Sequence, residues 1–307
     1  MTTAPAEVAT QPHIVCDGLV RIFKRTEVEV VALQGLDLRV DKSELVAIVG
    51  ASGSGKTTLL NILSGLDTPS AGYAEVAGAK LVGMSRRERR TYRLHTCGFV
   101  WQQASQNLMP FLDAQSNVEM PQWLSRSGSR QRSARAMELL DILGLADQRR
   151  QRPAELSGGQ QQRLAIAVSL ANQPEVLFCD EPTGELDSAT AEEVFAAMRH
   201  VNAELGTTIV IVTHDPGVST HVTRTIAIRD GRTSTETLRS FGAEHDSGVM
   251  AQEYAVLDRV GRLQLPQDFM DALQLDRRVR LELEPDHIGV WPPEVSHPGA
   301  ADEEDAS

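Results

Sequence analysis

Apolar residues recur along this chain with two periods. Unbroken apolar runs at 45–49, 176–179 and 209–212 predict short strands buried on both faces, as in a parallel sheet. Leu59, Ile62 and Leu63 return at helical spacing just after the first run, and Leu164, Ala167, Val168 and Ala171 do so just before the second. Pro174 stops that second helix. Between residues 14 and 40 the pattern is β-rich, with Val30, Leu33, Leu36 and Leu38 as apolar positions, and further strands are expected at 73–76 and 97–101. Residues 103–156 read as a mainly helical insert, with Met137, Leu140, Ile142 and Leu143 ahead of a stop at Gly144. Strands alternating with helices predict an α/β fold.

The segment between the first buried strand and the first helix carries the chemistry. Gly50-Ala51-Ser52-Gly53-Ser54-Gly55-Lys56-Thr57, followed by Thr58, fits the pattern G-x-x-x-x-G-K-[ST] in every fixed position. Glycines let the backbone curl so that successive N–H groups face one anion, and the opening helix adds its positive end. Lys56 is then expected to reach the outer phosphates and the Thr57 hydroxyl to hold Mg2+. Phe23, ahead of this loop, is either a core residue or a face on which adenine stacks.

Composition narrows the classes. The 307 residues carry a net charge of −12, which opposes a general nucleic-acid binder. Cys16, Cys97 and Cys179 have neither metal nor disulfide spacing and read as reduced thiols. No apolar run approaches a membrane span and no leader is evident, so any membrane role is expected through a partner. Arg86, Arg87, Arg89 and Arg90 around Glu88 read as a solvated helix face, with lipid headgroups as the other option.

Further motifs fall in a telling order. Gln102 ends a strand, Leu156-Ser157-Gly158-Gly159-Gln160 opens a helix, and Asp180-Glu181 ends the strand 23 positions beyond Ser157. Glu185-Leu186-Asp187 and Val212-Thr213-His214-Asp215 follow. Over residues 13–240 this series resembles the ATP-binding subunit of ABC transporters. Val28-Glu29-Val30, Asn107-Leu108-Met109-Pro110 and Asn117-Val118-Glu119-Met120-Pro121 resemble the lipoprotein-release and macrolide-export branch.

The resemblance implies a P-loop NTPase core with a helical subdomain at about 103–172, ATP and Mg2+ as cofactors, and hydrolysis of ATP. Phe23, Gly50, Ser52, Gly53, Ser54, Gly55, Lys56, Thr57 and Thr58 would bind ATP. Thr57, Gln102 and Asp180 would hold the metal; Glu181 would be the base, with His214 and Gln102 beside it. Taken alone His214 reads as a structural imidazole, and only its neighbours favour the functional role. Ser157, Gly158, Gly159 and Gln160 would cover the ATP of a second copy in a head-to-tail homodimer, with Asp187 along the interface. An integral-membrane permease is the implied partner, at the cytoplasmic face of the cell membrane. The other reading is a soluble regulatory ATPase whose C-terminal part binds DNA or a protein. Ser43, where the family has glycine, is expected to spare its turn a left-handed residue; Trp101 replaces a commoner phenylalanine.

The remaining residues read as separate pieces. Residues 1–12 and the acidic stretch 294–307 are expected to be disordered, and the stretch from Ser234 to Gly248 to be connecting chain, with the linker between domains set at 241–250. At 251–293, a strand, the glycine turn at Gly261, a second strand up to Pro266, a short helix at 267–273 and alternating Val279, Leu281 and Leu283 resemble the swapped-hairpin barrel of AbrB-type regulators. This predicts a small β-rich barrel-like domain. Residues 250–293 hold five arginines against eight acidic residues, which favours a dimerisation clamp over DNA binding.

Overall fold

The computed structural model describes residues 12–25, 28–125, 127–240, 250–275 and 278–292. In chain order its strands and helices are β1 (Pro12–Arg25), β2 (Val28–Asp41), β3 (Leu45–Val49), α1 (Lys56–Leu63), β4 (Ala71–Val76), β5 (Ala79–Lys80), α2 (Arg86–His95), β6 (Cys97–Val100), α3 (Ala114–Leu124), α4 (Ser129–Ile142), α5 (Gly158–Leu170), β7 (Val176–Asp180), α6 (Ser188–Leu205), β8 (Thr208–Thr213), β9 (Arg224–Arg229), β10 (Arg232–Ser240), β11 (Met250–Ala255), α7 (Gln267–Ala272), β12 (Arg280–Leu283) and β13 (Ile288–Trp291).

The central sheet has the order β11-β10-β9-β3-β8-β7-β6. Its five strands from β9 to β6 run parallel, and β10 and β11 are added antiparallel. The apolar runs of β3, β7 and β8 are continuous because each strand feeds two cores. Val46, Ile48, Val176, Phe178, Val210 and Val212 point to one face, where α1 and the antiparallel sheet β2-β1-β4-β5 pack. Ala47, Leu177, Cys179, Ile209 and Ile211 point to the other, against α3 to α6. A strand alternates sides at every residue, so burial on both sides requires an unbroken apolar run. The predicted helical insert is formed by α3, α4 and α5.

Four expectations are corrected. Ser43 does adopt a left-handed backbone, φ 61°. Its N–H donates to Thr208 Oγ1, its hydroxyl donates to the Gly206 carbonyl, and its own carbonyl accepts from Asn202 Nδ2; these bonds hold the residue in a conformation that a side chain disfavours. The polar residues from Ser234 to Ser240 are strand rather than linker, because both edges of β10 are paired. Pro12 opens β1 rather than lying in a disordered terminus.

The fourth concerns the C-terminal part. The expected boundary near residue 250 falls inside one sheet, since β11 pairs with β10 from Thr235↔Ala255 to Ser240↔Met250. After Gly261 no second strand forms; the Asp258 carboxylate instead accepts from the N–H groups of Val260 and Arg262 and closes a turn. Arg259 pairs with Asp17 of β1, and Arg232 of β10 with Asp258 at 3.7 Å, tying this turn to both sheets. Beyond α7, β12 and β13 make a two-stranded sheet by themselves, and no barrel is present among the described residues. The linker residues 241–249, the N-terminal residues 1–11 and the acidic tail lie outside the described residues.

Candidate functional site

The phosphate loop joins β3 to α1 and curls as its glycines predicted. Gly53 and Gly55 have φ of 81° and 104°, in the region where a Cβ is disfavoured. Space is as restrictive as torsion at Gly55, where a Cβ would lie 2.6 Å from the Ala32 carbonyl oxygen. Gly55 caps α1, so Lys56 and Thr57 are its first two helical residues. The Lys56 ammonium donates to the carbonyls of Gly50 at 2.8 Å and Ala51 at 2.9 Å, folded over its own loop. Burial lowers the Lys56 pKa, opposed by the nearby Glu181 and Asp180 carboxylates. The buried Ser54 hydroxyl has no hydrogen-bond partner among the described residues.

A cavity of about 450 Å³ opens over this loop, lined by Ala32, Ser52, Gly53, Gly55, Lys56, Thr57, Thr58, Glu181 and His214. Two ends of parallel strands deliver its acidic and imidazole groups. β7 ends in Asp180, whose carboxylate accepts from the Thr57 hydroxyl at 3.4 Å. Burial raises the Asp180 pKa, the charge of Glu181 raises it further, and Thr57 and Lys56 act the other way. Glu181 follows in a left-handed conformation, φ 46°, uncommon for a residue with a side chain. That turn aims its carboxylate between two others. One oxygen lies 2.8 Å from His214 Nδ1 and the other accepts from Gln102 Nε2 at 3.4 Å.

Thr57 and Asp180 offer oxygen donors side by side, with Gln102 on the far side of Glu181, which suits a hard divalent cation whose remaining ligands come from phosphate and water. No cluster of three or more His, Cys, Asp or Glu with metal spacing occurs among the described residues. The oxygen donors of Thr57 and Asp180 fit a cation that enters with a nucleotide.

Other predicted residues lie apart. Phe23 does not line the cavity; its ring is 37% exposed and the Arg21 guanidinium sits 4.5 Å from its centroid. Ser157 caps α5 in a reciprocal pair with Gln160, and the signature residues do not line the phosphate cavity. Gly159 is required by packing, since a Cβ there would come 2.4 Å from Thr190 Cγ2. Asp187 caps α6 by accepting from the Ala189 and Thr190 N–H groups and the Thr190 hydroxyl. All three cysteines are free and buried.

Sequence reasoning missed four contributors. Ala32 of β2 lines the cavity, and Gln103 donates to Glu185 at 3.1 Å, bridging the same two loops as Gln102 and Glu181. Asn107 accepts from the Trp101 N–H and donates to the Phe99 carbonyl. Asn117, fully buried, accepts from the Met109 N–H and donates to the carbonyls of Met109, Leu112 and Asp113. The available signal was an amide amid apolar neighbours on a helix, which is costly unless satisfied.

Comparisons with known proteins agree with this geometry. Residues 33–184 match the family model described as ABC transporter. The chain is 43% identical over 254 residues to the macrolide export ATP-binding/permease protein MacB of Burkholderia pseudomallei, covering 83% of this chain and 38% of that one. A second such protein, from Aeromonas hydrophila, is 43% identical over 223 residues, covering 73% and 34%. The chain thus spans little more than a third of the length of these curated relatives. A solved dimeric ATP-binding cassette in a post-hydrolysis state bound to ADP and Pi is similar with a TM-score of 0.66 and 37% identity, over 74% of this chain and 100% of that one. The cassette cbiO1 from Clostridium perfringens, part of an ABC transporter complex, has a TM-score of 0.68 at 26% identity, over 73% and 88%. Among the described residues no helix is long and apolar enough to cross a membrane. The chain belongs to the ATP-binding cassettes of the ABC transporter family.

Proposed function

We propose that two copies of this chain close head to tail around two Mg2+-ATP and hydrolyse them, driving a membrane permease from its cytoplasmic face. The observation that carries this reading is the Glu181 carboxylate, held between His214 and Gln102 at the mouth of the phosphate loop. Binding ATP exchanges internal bonds for ligand bonds. Lys56 leaves the Gly50 and Ala51 carbonyls for the outer phosphates, and the unpartnered Ser54 hydroxyl finds an acceptor. Thr57 and Asp180 hold the cation, which on binding neutralises phosphate charge. His214 turns toward the terminal phosphate, freeing Glu181 to take a proton from the attacking water. Phe23, partly exposed beside Arg21 and outside the cavity lining, is the aromatic side chain assigned to adenine.

One chain leaves that ATP open on one side. Ser157 and Gly158 stand exposed at the N-terminus of α5, where helix donors favour an anion, and Asp187 lies close by along the same surface. A second copy, turned by two-fold symmetry, brings these groups over the triphosphate. For the permease, the loop fastened by Asn107 and Asn117 leads from Gln102 to Phe111, which is 68% exposed. That loop links the metal side of the site to a protruding apolar residue, a suitable contact for a membrane partner. The two MacB proteins named above are macrolide export proteins, and export, including extraction of lipid or lipoprotein or transmission of force, is the proposed direction.

The test is a crosslink. In a Glu181→Gln background with Mg2+-ATP, cysteines at Ser52 and Ser157 should join between chains and not without nucleotide. Failure to crosslink under saturating nucleotide overturns the head-to-tail arrangement.

A further inference from the structure

Eleven large apolar side chains between Tyr254 and Trp291 are exposed, more than in all the rest of the described chain together. The most concentrated group lies on the β12–β13 hairpin. Its pairs Leu281↔Val290 and Leu283↔Ile288 put four aliphatic side chains on one face, with Leu281, Leu283 and Ile288 between 64% and 85% exposed. Arg280, Glu282 and Trp291 share the other face, where Arg280 lies 3.5 Å from Glu282. Two strands alone are marginal in water.

Among the described residues each strand of this hairpin keeps one open edge, and that of β12 is the distinctive one. The Glu284 N–H donates to the His287 carbonyl at 2.9 Å, closing the hairpin. Antiparallel ladders alternate, so the backbone groups of Glu284, Glu282 and Arg280 face β13, and those of Leu283, Leu281 and Val279 face outward. Natural edge strands discourage pairing with charged side chains, above all lysine, with proline or with bulges. This edge instead reads Arg278-Val279-Arg280-Leu281-Glu282-Leu283-Glu284, positive in its first half and negative in its second.

We infer that β12 pairs antiparallel with β12 of a second copy, with Leu281 opposite Leu281 on the two-fold axis. In that register Arg280 meets Glu282, Arg278 meets Glu284 and Val279 meets Leu283, each twice by symmetry. The outward backbone groups of Val279, Leu281 and Leu283 form the ladder, and the charge pairs fall at the non-hydrogen-bonded positions where side chains approach most closely. The two hairpins become a four-stranded sheet with one continuous aliphatic face. Phe269 and Leu273, exposed on and just after α7, the element that precedes the hairpin in the chain, furnish apolar side chains to cover it. The occupant is a second copy because the edge is its own charge complement. β13, lacking charged residues and followed by Pro292, has no such property.

This contact needs no nucleotide, which separates it from the ATP-dependent dimer. Sedimentation velocity of the full chain without nucleotide should show a monomer–dimer equilibrium below about 100 µM. Arg280→Glu or Glu282→Arg alone places like charges opposite each other at two symmetric points and should weaken the dimer about tenfold or more. The double variant, Arg280→Glu with Glu282→Arg, restores opposite charges and should return affinity to near that of the parent. In a Glu181→Gln background, Glu282→Arg should leave closure on ATP intact. A parent chain that stays monomeric at that concentration, or single reversals that change nothing, would overturn the inference, as would a double variant no tighter than the singles.

Discussion

Gly159 and Thr190 meet so closely that a single added carbon on the glycine would lie 2.4 Å from the threonine methyl. The signature helix α5 therefore packs on α6 through a residue without a side chain, and Thr190 is in turn fixed by its hydroxyl bond to Asp187 at 2.7 Å. The tip expected to touch a neighbour's ATP and the residue expected at the interface are thus joined through Thr190.

Gly159→Ala should cost about 1–3 kcal/mol by overpacking. Thr190→Ser removes the clashing methyl and keeps the hydroxyl for Asp187, so the double variant should recover most of that loss. Urea unfolding of the three variants measures the coupling; simple additivity would show that the contact is not the cause.

Replacing Glu181 by Gln removes the proposed base while its two hydrogen-bonding neighbours keep a partner. ATP turnover should fall about 10²–10⁴-fold with ATP still bound. Under Mg2+-ATP the variant should sediment as a trapped dimer. Turnover at the parent rate would mean that another group accepts the proton.

Lys56→Ala leaves the loop without its cation and should abolish measurable ATP binding in a fluorescent-nucleotide titration. The fold should persist, because among the described residues Lys56 hydrogen-bonds only to carbonyls of its own loop. Loss of folding, read by circular dichroism, would assign the lysine a structural role instead.

Asp180 predicts an unusual pH response. Its folded-state pKa lies above the ordinary carboxylate value, chiefly through burial. The native state then holds the proton more tightly than the unfolded state. Its contribution is favourable at low pH and is lost as pH rises through the raised folded value. Without nucleotide, Asp180→Asn should melt at a higher temperature than the parent at pH 7, and the difference should shrink toward pH 4. The same variant should lose the Mg2+-dependent part of stabilisation by ATP. Equal melting temperatures at both pH values would remove burial of this charge as a cost to the free fold.

Asn117→Ala removes the acceptor of the Met109 N–H and the donor to three carbonyls, loosening the loop that carries Phe111. Stability should drop by about 2 kcal/mol or more, as for a buried polar network left unsatisfied. Amide exchange at residues 109–113 should speed up far more than at β8. Uniform acceleration would indicate global destabilisation without a local role.

Local pattern alone determined a large share of this protein. The phosphate loop was readable because its chemistry demands fixed residue types over eight positions between a buried strand and a helix. β3, β7 and β8 were readable because burial on two faces forces unbroken apolar runs. Tertiary structure decided what lies between distant residues: Thr57 against Asp180 across 123 positions, Glu181 turned to a left-handed backbone between His214 and Gln102, and Ala32 brought to the cavity wall. It also decided that β11 completes the central sheet rather than opening a new domain. A strand's own residues specify that it will pair and which side it buries. The partner is chosen by whichever edge the folded sheet leaves open, and that information resides in the assembled chain.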